Sequence, residues 1–141
     1  TFKTDSKGQV KFSTNGLAPK TYVATITIPA FGKYLKTTSS AKIVVKKATP
    51  KLTAKAKSFK RSVKIKKYSI TLKTNKNKAM KKTKVTLKVK GKTYTAKTNS
   101  KGKAVFKIKN LKNKGKFKAT VSYKGNAYYK KVTKNVNIKI K

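Results

Sequence analysis

The sequence predicts an all-β chain of antiparallel sandwich or barrel units, and three observations predict it. Apolar residues alternate with lysine or threonine at period two, β-branched residues abound, and turn residues recur roughly every 8–12 positions. No window offers apolar residues three and four apart as well as it offers alternation, so helix is disfavoured throughout.

The elements follow in order. "TDSKGQVKF" (Thr4–Phe12) opens with turn chemistry: the Asp5 side chain can bond its own backbone, and Gly8 supplies positive φ. The strand after the turn places Phe12 inward. "YVATITI" (Tyr22–Ile28) and "AKIVV" (Ala41–Val45) read as two further strands. "ATPKL" (Ala48–Leu52) reads as a junction, because Pro50 suits a place where a backbone donor is dispensable. Beyond it, Tyr68, Ile70 and Leu72 share one face of a strand, as do Val85, Leu87 and Val89 of the next. Gly91-Lys92 turns the chain into Thr93–Thr98. "TNSKGKAVF" (Thr98–Phe106) then repeats the opening turn and strand, with Asn99 and Gly102 in the places of Asp5 and Gly8. Phe117, Ala119, Val121 and Tyr123 alternate, and so do Val136, Ile138 and Ile140.

The two nonapeptides stand 94 residues apart, and Leu17 keeps that offset from Leu111. One inserted residue makes the offset 95, after which "YVATITI" lies over "FKATVSY", Tyr34 over Tyr129 and "AKIVV" over "VNIKI". Residues 1–48 therefore match the second half of a unit whose complete copy is 49–141, as in a piece of a longer tandem array. A half unit has unpaired strand edges and an uncovered apolar face. Strands from another copy, in a fibre or by swapping, are expected to complete it.

Composition narrows function. Lys and Arg number 41 against one acid, Asp5, for a net charge of +40, and there is no Cys and no His. Thiol and zinc-thiolate chemistry lack their side chains, and most acid–base catalysis and hard-metal binding lack theirs. The expectation is a non-catalytic chain that needs no metal or cofactor. Arg61 is the only arginine. Lysine is a hydrated point charge without the planar fork that reads guanine, so loose polyanion binding is expected and sequence-specific nucleic-acid reading is not. The longest aliphatic run, Ile43-Val44-Val45, is far short of a membrane-spanning helix.

The stretch "VTLKVKGKTYTAKTNSKGKAVFKIKNL…GKFKATVSYKGNAYYKK…VNIKIK" resembles the immunoglobulin-like repeats of prokaryotic surface proteins, most of all the lysine-rich repeats of adhesin-like proteins of methanogenic archaea. The resemblance covers 49–141 fully and 1–48 by its second half. It implies immunoglobulin-like sandwich repeats in an extracellular or cell-surface stalk, which projects a binding region and has other copies of the repeat as neighbours. Anionic cell-wall polymers and acidic glycans are the expected ligands of so cationic a surface. The alternative is a nonspecific polyanion or nucleic-acid binder. Much of the lysine is explained by alternation alone, since outward strand positions need polar residues and edge lysines block stray pairing.

Two further expectations concern side chains. In "YKGNAYY" (Tyr123–Tyr129), Tyr129, matching Tyr34, is expected to be structural, as a corner tyrosine bonded to backbone. Tyr128 has no aromatic counterpart and, with Lys124 and Lys130, is the candidate ligand contact. Residues 49–141 contain no acid to promote a Lys–Asn amide crosslink, so none is expected.

Overall fold

Most stretches in which lysine or threonine alternates with a branched or aromatic residue form strands. The computed structural model describes residues 1–141 and contains ten strands and no helix. They are β1 (Thr21–Ile28), β2 (Thr37–Val44), β3 (Lys51–Thr53), β4 (Lys57–Phe59), β5 (Lys66–Lys73), β6 (Lys84–Val89), β7 (Lys92–Lys97), β8 (Lys103–Ile108), β9 (Gly115–Tyr123) and β10 (Val132–Ile140). The chain divides into two units, Thr1–Lys46 and Lys47–Lys141.

The second unit is a sandwich. One sheet has the order β3-β5-β8 and the other β4-β10-β9-β6-β7. All neighbours are antiparallel except β4 and β10, which run parallel with Lys57 opposite Ile138 and Phe59 opposite Ile140. The first strand segment is thus split, β3 joining one sheet and β4 the other. This is the immunoglobulin-like arrangement, with β7 beside β6 rather than on the edge of the smaller sheet.

Alternation decides what is buried. Leu72 and Ile108 from one sheet meet Val85, Leu87, Val121 and Ile138 from the other with no accessible surface left, around the rings of Tyr68 and Phe106. Each such aliphatic side chain contributes roughly 1.5–3 kcal/mol on leaving water. The lysines between them, such as Lys88, Lys103 and Lys139, face solvent.

One turn differs from the sequence reading by a residue. Val89 pairs with Lys92, so the loop is Lys90-Gly91, with φ of 47° and 73°. A two-residue hairpin loop of this hand needs positive φ at both positions, which glycine in the second place eases.

The first unit is a two-stranded sheet of β1 and β2 with the Asp5 turn and the segment after it. Its register pairs Tyr22 with Ile43 and Ala24 with Ala41. The β9–β10 ladder pairs Phe117 with Ile138 and Ala119 with Val136. Shifted by 95 residues, the two registers are the same.

Candidate interaction surface

The turns of the two nonapeptides fold alike, but Lys103–Phe106 run on into β8 while the expected strand after Gly8 does not form and Phe12 stays exposed. Asp5 Oδ1 accepts the Lys7 and Gln9 amides, each at 2.9 Å, and Asn99 Oδ1 accepts the Lys101 and Lys103 amides, each at 3.0 Å. The Gly8 amide donates to the Asp5 carbonyl and the Gly102 amide to the Asn99 carbonyl, both at 3.0 Å. Gly8 and Gly102 have φ of 71° and 73°. Asp5, the lone acid, thus spends its carboxylate on a turn that an uncharged amide makes equally well.

The loop between β9 and β10 carries the candidate ligand contacts. Asn126 Oδ1 accepts the amides of Tyr128 and Tyr129 at 2.9 and 2.8 Å, and the Asn126 amide donates to the Tyr129 carbonyl at 3.0 Å. Ala48 clamps the loop from the start of the unit, donating to the Tyr128 carbonyl and accepting the Lys130 amide, both at 2.9 Å. This places the Tyr129 ring half-buried against the core and leaves Tyr128 50% exposed between the exposed Lys124 and Lys130. Tyr128, Lys124 and Lys130 thus lie exposed on one braced loop.

The matching tyrosine of the first unit keeps the backbone geometry only. Phe31 and Tyr34 exchange amide–carbonyl bonds as Asn126 and Tyr129 do in part, yet the Tyr34 side chain is 68% exposed, because no second sheet faces it in that unit. The hydroxyl-to-backbone bond expected of Tyr129 belongs instead to Tyr68, whose buried hydroxyl donates to the Lys55 carbonyl at 2.8 Å. Burial raises the Tyr68 phenol above its ordinary value of 10.0. Burial, and then the neighbouring Tyr129, raise Tyr123 as well.

Three arrangements escaped the sequence reading. Tyr94 donates to Asn110 Oδ1 at 2.8 Å and accepts the amides of Lys109 and Asn110 at 3.1 and 3.2 Å, tying β7 to the loop after β8. Thr98, buried, donates to the Met80 carbonyl and accepts the Thr83 amide at 2.9 Å. Lys66, only 2% exposed, faces inward and donates to the Val63 carbonyl at 2.6 Å beside a recess of about 910 Å³ lined also by Arg61, Lys64, Lys109 and Lys112. The signal for Lys66 was available, since it sits two residues before Tyr68 on the inward phase. No three His, Cys, Asp or Glu side chains come together anywhere.

Lysine ammonium groups also lie over rings. Lys20 Nζ lies 4.8 Å from the Tyr22 ring centroid, Lys57 Nζ 5.0 Å from Phe59 and Lys90 Nζ 5.8 Å from Phe117. Part of the cationic charge is therefore held against aromatic faces.

No protein-family model matches the chain, and no curated protein does. Among solved structures it is similar to a 1.5-MDa bacterial ice-binding adhesin studied for host cell surface retention, at 13% identity and TM-score 0.41, over 86% of this chain and 42% of that one. A Ca2+-stabilized adhesin that helps an Antarctic bacterium bind ice gives 13% and 0.39, over 86% of this chain and 32% of that one. A bacterial immunoglobulin-like domain of the M. primoryensis ice-binding adhesin gives 15% and 0.39, over 67% of this chain and 98% of that domain. The chain spans less than half the length of the first two.

Proposed function

We propose that the chain is a non-catalytic structural module of an extracellular, adhesin-like surface protein, a stalk of tandem immunoglobulin-like repeats related to the lysine-rich repeats of archaea. The observation that carries this reading is the parallel pairing of β4 with β10. β4 lies near the start of the second unit and β10 at its end, so tension between the ends of that unit pulls parallel neighbours in opposite directions along their length. All their bonds are then loaded together rather than unzipped one by one. The Lys141 amide to the Phe59 carbonyl at 3.0 Å and the Arg61 amide to the Lys141 carbonyl at 2.8 Å extend the ladder to the last residue. A stalk needs that resistance, and an isolated binding domain does not.

Single-molecule pulling between residues 47 and 141 tests it. The expected result is one cooperative, high-force unfolding event, weakened by Arg61→Pro, which removes the amide held by Lys141. Gradual low-force extension would overturn the reading. The charge of +40 favours a second reading, a nonspecific binder of anionic polymers, which is compatible with the first.

A further inference from the structure

We propose that the first unit is the receiving half of a second sandwich, and that its partner is a polypeptide segment with the strand set of residues 48–94. The inference rests on the repeat reading above and is independent of any cellular location.

The second unit is the template. Its β9 and β10 have the register of β1 and β2, and in it the facing sheet is β3-β5-β8, while β6 pairs along β9 and β4 along β10. Most residues that match a buried position are exposed in the first unit, while Ala24, Ile43 and Val45 are half-buried. Phe12 is 50% exposed where Phe106 is 1%, and Ile26 is 53% exposed where Val121 is 0%. Leu17 and Ile28 are likewise open where Leu111 and Tyr123 are closed.

Glycine marks the place of a missing strand. A Cβ on Gly102 would stand 2.5 Å from the Leu72 carbonyl oxygen, on β5, and 3.3 Å from Ala79. A Cβ on Gly8, in the same turn, would meet nothing within 4 Å. The space next to Gly8 is where the equivalent of β5 belongs.

The segment that covers this face has strands with apolar residues on one side and lysine on the other, running in the order β3 to β6 with the start of β7.

The experiment joins a further copy of residues 48–94 ahead of Thr1 in the full chain, which recreates the Tyr94–Thr95 junction as Tyr94–Thr1. Hydrogen exchange of the β1 and β2 amides should slow at least about a hundredfold and approach that of β9 and β10, because opening then requires a global transition. In trans, the separate 48–94 peptide added to the intact chain in about 1 M salt, where screening shortens to roughly 3 Å, should form a one-to-one complex. Ile26→Lys should abolish that complex. Val23→Lys should spare it, because Val23 matches the outward Lys118. Unchanged exchange in the joined chain, equal loss by both variants, or concentration-dependent protection of β1 and β2 without the peptide would each overturn the proposal. None of these outcomes bears on the pulling strength of the second unit, so the two readings fail separately.

Discussion

Asp5 and Asn99 occupy one turn written twice: each side-chain oxygen holds the amides two and four residues on, at 2.9 Å in the first copy and 3.0 Å in the second. A carboxylate and an amide do the same work there because both offer an acceptor at the same reach. The only acid in the chain is therefore accounted for by backbone geometry.

Substituting this turn should separate its two components. Asn99→Asp should leave stability within about 0.5 kcal/mol, while Asn99→Ala should cost about 1–2 kcal/mol through two lost acceptor contacts. Gly102→Ala should cost more than about 2 kcal/mol, since strain at positive φ adds to the collision with the Leu72 carbonyl. Gly8→Ala meets open space and should cost only the backbone strain, about 1 kcal/mol. Urea unfolding midpoints would rank the set.

Tyr68 should make the fold alkali-sensitive. Its phenol is raised by burial, so the unfolded chain ionises first, near 10.0. Below that pH the folded and unfolded chains hold the same proton, and the contribution is fully present. As pH climbs past 10 toward the folded value, the unfolded state binds fewer protons and stability falls. Tyr68→Phe should cost about 1 kcal/mol at neutral pH by losing the Lys55 bond, and should flatten the alkaline decline. Tyr123 provides the contrast. Its hydroxyl is buried without a protein partner, so Tyr123→Phe should leave the melting temperature unchanged or raise it.

Lys66 is a buried cation whose unit has no acidic side chain to face it. One carbonyl at 2.6 Å does not replace the water it gives up. Lys66→Met keeps the length and should stabilise the sandwich by about 1–2 kcal/mol, a rise of several degrees for a unit this size. A melting temperature that falls would mean the ammonium does more than bridge to Val63.

The fold was legible because alternation is so regular: lysine, threonine, serine or asparagine marks nearly every outward position of β5, β6, β8, β9 and β10. Pairings that depend on backbone direction were not legible. Nothing in Lys57–Phe59 announces a strand of three residues parallel to β10, because that pairing rests on where the last strand arrives. The match to Tyr34 points to Tyr129 as the corner tyrosine, yet the hydroxyl bonded to backbone is that of Tyr68. A hydroxyl's partner depends on which loop lies opposite, and Lys55 lies opposite Tyr68. Lys66 lies on the inward phase of β5, two residues before Tyr68, where the frequency of lysine at outward positions hides it.

Tyr128 and Gly125 divide the β9–β10 loop into an exposed ring and a shape-giving turn. Tyr128→Ala should leave stability within about 0.5 kcal/mol, because the ring is exposed and the loop is held through backbone by Asn126 and Ala48. Gly125→Ala should unfold the loop, since a Cβ there would stand 2.8 Å from the Lys131 nitrogen and the Tyr129 oxygen at a φ of +85°. Loss of acidic-glycan binding in Tyr128→Ala, with an unchanged melt, is the expected result. A destabilised Tyr128→Ala would make the ring structural.

The charge of +40 sets the last expectation, and the scarcity of arginine sharpens it. Adsorption to anionic polymers should be strong at low salt and vanish near 1 M, as the screening length contracts from about 10 Å at 0.1 M to about 3 Å. Among nucleic acids, unrelated duplexes should bind within about threefold of one another. Lysine neutralises phosphate without reading bases, and Arg61 offers the chain its single bidentate fork. Competition titrations with two unrelated duplexes at matched salt would measure this. A preference of tenfold, about 1.4 kcal/mol, would require direct base contacts or a shape preference, and would move the chain from loose polyanion binding to sequence recognition.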